Sequence, residues 1–183
     1  MGSSVESGRE AIMEWNRGIR MIALFLITFF SAEMIAAEPS EKLVPFAALV
    51  GPRWVGAFPG GAMTDEQQFE WVFGGRFLRN THQVRNEKGT VIYEGETIYA
   101  WDPKQEQLVW WYWNATGGFI TGTLERRGDA WLAEGVNHGP AGQASAVRSE
   151  MRISGDSWES VSYFSQDGGW KERFRMKFRK AGH

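Results

Sequence analysis

From about Arg53 to its end, the chain alternates apolar and polar residues with a period of two. That period marks strands with one buried and one solvated face. The last segment shows it most clearly. Trp170, Glu172, Phe174, Met176 and Phe178 fall on one face, and Lys171, Arg173, Arg175, Lys177 and Arg179 on the other. Upstream, Gln67 to Phe73 places Phe69, Trp71 and Phe73 together. Further strands are predicted over Arg76–Arg85, Thr90–Trp101, Gln107–Asn114, Phe119–Arg126, Ala130–Asn137, Ala146–Ser154 and Ser157–Ser165.

The breaks between these segments are short and rich in Gly, Asn and Asp, as hairpins require. Examples are Asn86-Glu87-Lys88-Gly89, Arg127-Gly128-Asp129 and Gln166-Asp167-Gly168. No break is long enough for a crossover helix between parallel strands. Glu41 to Val50 reads as a short helix that tolerates Pro45 only in its first turn. The prediction is an all-β domain of about ten antiparallel strands in up-and-down order behind a short N-terminal helix. A meander of that length exposes two edges unless it closes, so a barrel is expected.

Residues 1–37 read differently. Arg17 and Arg20 precede the apolar run Met21 to Ala32, and Ile35-Ala36-Ala37 follows it. This is the order of a signal peptide cut after Ala37. The run is shorter than the roughly 20 residues of a membrane span; counting through Met34 to Ala37 lengthens it across Glu33, and an uncleaved anchor is the alternative. Residues before Met13 carry no signal character, so Met13 or Met21 is an alternative start. The expectation is a signal segment over 1–37, one barrel domain over 38–183, and an exported, periplasmic or secreted protein without stable membrane insertion after cleavage.

Composition narrows the chemistry. The chain contains no cysteine, which excludes disulfides, thiolate metal sites and cysteine nucleophiles. Residues 38–183 hold 17 Lys/Arg and 18 Asp/Glu, so no basic field attracts nucleic acid. Nine of the ten tryptophans lie in that part, and they point to an aromatic-lined interior.

The order of short motifs carries a resemblance. Gly51-Pro-Arg-Trp54-Val-Gly56 opens the first strand, Gly74-Gly75-Arg76-Phe77-Leu78 follows an aromatic strand, and Tyr93-Glu94-Gly95 and Trp101-Asp102-Pro103 come next. Together they resemble the calycin-like barrels, and an uncharacterised, often exported bacterial family with a lipocalin-like or fatty-acid-binding-protein-like barrel. In an exported barrel of that kind, the aromatic excess points to a small, largely apolar ligand inside. The opening also resembles the nitrobindin branch, which binds haem through a histidine near the chain end. The histidines here are His82, His138 and His183, and none matches that position. No cofactor and no metal are expected.

Several residues are candidates for chemistry. His82 shares a face with Leu78, Asn80 and Val84, and imidazole titrates near neutrality. It is either a base or ligand-orienting group, or an ordinary strand residue. Glu94 and Glu96 share one face of their strand. Turned inward, they would form an acid/base pair; turned outward, they are wall residues opposite Tyr93, Thr97, Tyr99 and Trp101. Arg148, with Glu150 and Arg152, either holds a ligand carboxylate or belongs to an external charge ladder. In Trp110-Trp111-Tyr112-Trp113, Trp110 and Tyr112 face one way and Trp111 and Trp113 the other; either one pair lines a cavity and the other is covered by the N-terminal helix or a partner, or the run is ordinary packing with a partly exposed aromatic pair. Asn114-Ala115-Thr116 fits a glycosylation acceptor, a pattern that also arises by chance.

The candidate ligand-binding residues are Asn80, His82, Trp111, Trp113 and Arg148; the candidate catalytic residues are His82, Glu94 and Glu96. Three roles remain open. The first is a monomer or homodimer that binds a small apolar or aromatic molecule, which requires a cavity above roughly 300 Å³. The second is an isomerase-, hydratase- or cyclase-type enzyme. The third is an envelope interaction protein.

Overall fold

The computed structural model describes residues 38–182. The expected signal segment with its cleavage point, and His183, lie outside the described residues.

Ten strands form one closed antiparallel barrel in the order β1-β10-β9-β8-β7-β6-β5-β4-β3-β2. They are β1 (Arg53–Ala57), β2 (Met63–Val72), β3 (Phe77–Asn86), β4 (Val91–Asp102), β5 (Gln107–Asn114), β6 (Phe119–Arg127), β7 (Ala130–His138), β8 (Ala144–Ser154), β9 (Ser157–Gln166) and β10 (Gly169–Lys180). Each strand pairs with its sequence neighbour. The seam is β1 on β10, with Trp54 opposite Lys180 and Gly56 opposite Phe178. Closure satisfies the backbone groups that an open meander would leave bare.

The turns follow from side-chain chemistry. The Asn86 side-chain oxygen accepts from the Lys88 and Thr90 amides, and Gly89 adopts φ 76°. Asp102 accepts from the Lys104 and Gln105 amides, and those hydrogen bonds hold its carboxyl below the usual range. Asn114 accepts from the Thr116 amide, so the tripeptide with a glycosylation pattern builds a turn.

The expected helix is a 3-10 helix, Val44–Leu49, with its proline at the start. Leu43, Phe46 and Leu49 are buried. Phe46 packs against Tyr99 and Trp131, near the ends of β4 and β7 that share one rim. The Trp54 indole N–H donates to the Leu49 carbonyl at 2.8 Å. The helix therefore closes one barrel end rather than covering the wall. Each such fully buried side chain contributes about 1.5–3 kcal/mol relative to exposure.

Two details differ from the straight alternation. Register slips between Glu172 and Phe174, leaving Arg173 as an extra residue. Such a bulge flips the faces on one side of it. Phe174, Met176 and Phe178 turn inward, but Trp170 turns outward, beneath the Arg148 guanidinium at 4.6 Å. Phe73 does not extend the face of Phe69 and Trp71. It sits in the β2–β3 turn with φ 50° and is 77% exposed.

Candidate functional site

Parity along each strand decides what the interior contains. On β3, Leu78, Asn80 and Val84 are buried, so His82 also points inward. On β4 the buried Thr97 fixes Tyr93, Gly95 and Tyr99 inward and Glu94 and Glu96 outward. On β5 the buried Leu108 and Trp110 set Tyr112 inside and Trp111 and Trp113 outside.

These strands enclose a cavity of about 260 Å³. Its apolar surface comes from Phe69, Trp110, Leu124, Trp131, Met151 and Trp158. Asn80, His82, Thr97 and Tyr112 supply polar groups from β3 to β5. Ser149, Ser160 and Ser162 supply them from β8 and β9, across the barrel. At about 260 Å³ the cavity does not reach the roughly 300 Å³ expected of the binding role, which counts against a drug-sized guest. It exceeds the 150 Å³ or so that accommodates benzene in an engineered core. The space therefore suits a small molecule and excludes a large one.

Glycines shape this interior. Gly122 and Gly135 are register partners on β6 and β7, and a Cβ at Gly122 would lie 2.8 Å from the Trp110 indole nitrogen. Trp110 therefore lies against bare backbone, donating to the Thr123 carbonyl at 3.2 Å. Gly95 leaves room for Tyr112 in the same way.

One wall carries a continuous polar chain. The Gln67 amide N–H donates to Asp65 Oδ2 at 2.7 Å. His82 Nδ1 lies 3.1 Å from Asp65 Oδ1, and its Nε2 lies 3.0 Å from the Tyr112 hydroxyl. The Tyr112 hydroxyl donates to the Tyr93 hydroxyl at 2.7 Å. Asp65 is only 5% exposed, so its charge is compensated within this chain. The two protonation states of His82 order the chain oppositely. Imidazolium donates to both Asp65 and Tyr112, and the Tyr112 hydroxyl directs its own hydrogen bond to Tyr93. A neutral ring keeps Nδ1–H on Asp65 and accepts from Tyr112 at Nε2. Burial, followed by the hydrogen bond with Tyr93, pushes the Tyr112 hydroxyl well above the usual tyrosine value. It remains a neutral donor beside the cavity.

The other candidates stand outside. Glu94 is exposed and accepts from Gln83 at 3.3 Å; Glu96 is half-buried on the same face. Both line an open surface groove of about 590 Å³ with Arg53, Glu66 and Trp113. His82 borders the same groove, but its ring nitrogens are directed to Asp65 and Tyr112 while the two carboxylates lie on the outward face of β4, so no hydrogen bond joins the three as an acid/base set. Arg148 pairs with Glu134 on β7 and covers Trp170, so its charge faces the outer wall. Trp111 and Trp113 are 36% and 47% exposed, near Phe119 and Val136 on β6 and β7.

Sequence reading did not single out Asp65, the His82 partner, or the β8–β9 serines. Asp65 shares parity with Phe69 and Trp71, which is the only local sign that it faces inward. Its pairing with His82 is a cross-strand relationship that no spacing reveals.

Among the described residues, neither histidine fits a haem. His82 is the one described histidine inside the barrel, and both its ring nitrogens are engaged; haem iron needs a free one. His138 stacks on Phe119 at the outer wall, with centroids 4.6 Å apart.

No model of a known protein family matches the chain, and no curated protein matches it. Among solved structures, it is similar to "Crystal Structure of Rv2717c from M. tuberculosis", with TM-score 0.54 and 17% identity, over 79% of this chain and 100% of that one. At that identity the likeness shows the fold alone, a ten-stranded antiparallel β-barrel.

Proposed function

We propose that the protein is an exported, calycin-like binding barrel that holds a small, largely apolar molecule in its interior. The observation that carries this reading is the 260 Å³ cavity, walled by tryptophans and closed at one end by the 3-10 helix. Its aromatic surface supplies the apolar contact, and a few neutral polar groups orient the guest. The export signal expected from residues 1–37 fits a carrier outside the cytoplasm. Native mass spectrometry of the purified protein tests the reading: a retained mass of one small molecule per chain supports it. A protein that retains nothing and binds no small aromatic probe contradicts it.

A second reading, acid/base chemistry, draws support from one specific observation. Asp65, His82 and Tyr112 form a hydrogen-bonded series that ends beside the cavity. In it, Tyr112 would give its proton to a carbonyl oxygen of the guest while water takes a proton from the adjacent carbon, forming the enol, and imidazolium His82 would restore the Tyr112 hydroxyl. Deuterium exchange from D2O into the methyl group of acetophenone, followed by NMR, tests it. Exchange catalysed by the wild type and lost in His82→Gln supports it; exchange no faster than in buffer removes it.

A further inference from the structure

The polar groups on the β8–β9 wall form a row. On β9 the inward positions Trp158, Ser160 and Ser162 follow one another at two-residue spacing. Ser162 is the register partner of Ser149 on β8. The first member of the row is unusual. Trp158 is 3% exposed and stacks on Phe178 at 3.9 Å with the rings 5° from parallel. Its Nε1–H is buried and has no hydrogen-bond partner among the described residues. An indole N–H is a donor only, so an acceptor alone can satisfy it. Native structures rarely leave such a donor unpaired without a reason.

The lining also lacks charge compensation for a guest ion. The His82 ring nitrogens are taken by Asp65 and Tyr112, which are in turn hydrogen-bonded to Gln67 and Tyr93. Glu150 binds Arg152. The remaining polar groups are neutral hydroxyls and an amide. An ionised guest would lose its hydration without finding an opposite charge, a large penalty.

Resting on the binding reading above, we infer that the cavity takes an uncharged molecule of one or two rings that carries a hydrogen-bond acceptor, directed at the β9 row of Trp158, Ser160 and Ser162. The apolar tryptophan surface packs the ring, and the acceptor satisfies the indole N–H. Trp158 lines the cavity and its nitrogen is buried, so engaging it takes a side-chain adjustment of the kind common on binding. The volume admits a substituted ring or a fused pair and leaves no room for an extended acyl chain.

Calorimetric titration of the full-length protein with four molecules of similar size tests this. Acetophenone offers a neutral acceptor, ethylbenzene offers none, benzoate is an anion and benzylammonium a cation. Acetophenone should bind about five- to tenfold more tightly than ethylbenzene, the worth of one hydrogen bond. Neither ion should bind measurably. In Trp158→Phe, which keeps a stacking ring and removes the donor, acetophenone should lose most of its advantage over ethylbenzene. Ser160→Ala is the second variant, with a smaller loss in the same direction. Equal binding of the two neutral rings to wild type, or binding of either ion as tight as acetophenone, overturns the inference while leaving the binding reading in place. Undiminished acetophenone binding in both variants also overturns it. Binding of none of the four overturns both.

Discussion

Tyr112 reaches His82 across Gly95: a Cβ built on Gly95 would lie 2.5 Å from the Tyr112 hydroxyl oxygen, which itself lies 3.0 Å from His82 Nε2. The bare backbone at position 95 is what lets a tyrosine from β5 cross β4 and hydrogen-bond on β3. Gly95→Ala therefore displaces the Tyr112 ring. The expected loss is about 1–3 kcal/mol of stability, the usual penalty of overpacking. Urea unfolding measures it. Gly128→Ala is the control for the effect of a lost glycine: its turn has φ 63° and open space around it, so any loss there is backbone strain without displaced side chains.

Alkaline pH probes the buried tyrosines. Burial raises Tyr99 to about 12. An unfolded tyrosine titrates near 10. Below pH 10 both states keep the proton and the contribution of Tyr99 is fully present. Between pH 10 and about 12 the unfolded state has lost its proton and the folded state has not, so stability falls as pH rises. The slope is about 1.4 kcal/mol per pH unit for one such group. Tyr112 is shifted in the same direction and adds to it. Unfolding free energies across pH 9–12 should show this decline, and Tyr99→Phe should make it shallower.

The helix that closes the barrel is held by one buried hydrogen bond, from Trp54 to the Leu49 carbonyl. Trp54→Phe keeps most of the packing and leaves that carbonyl unpaired. The cost is about 1–3 kcal/mol. Hydrogen exchange should quicken at Phe46 and Val50, whose amides bond within the same turn, more than in the β6–β7 hairpin.

Residues on the outer wall should matter little. Arg148 pairs with Glu134 where both are partly exposed, and such pairs contribute about 0–1 kcal/mol. Trp113→Ala and Arg148→Ala should each leave binding of acetophenone unchanged within twofold by calorimetry. A tenfold loss in either would place the ligand site on the outer wall.

The strand-and-turn plan was legible because alternation and turn chemistry are local. The Asn86 turn and the Gly169–Lys180 strand follow from residues a few positions apart. The bulge at Arg173 was not legible, because the alternating letters run through it without interruption; only pairing with β9 reveals the slip. The Trp110–Trp113 run fixed two opposed pairs but not which faced inward, since both are aromatic. Leu108, two positions before Trp110, was the available sign. His82 and Asn80 could be placed on one face, but the partners of His82 come from β2 and β5. Those partners are set by barrel closure and by Gly95, which no local pattern encodes.

Filling the barrel interior tests most directly whether a guest binds there. Ala133 lines the cavity between Trp131 and Gly135 on β7. Ala133→Phe should fill much of the 260 Å³ while circular dichroism still reports a folded barrel. Titrated with acetophenone, wild type should bind one molecule per chain, and Ala133→Phe should lose at least tenfold in affinity. Equal binding to both folded proteins would put the ligand elsewhere and contradict the account.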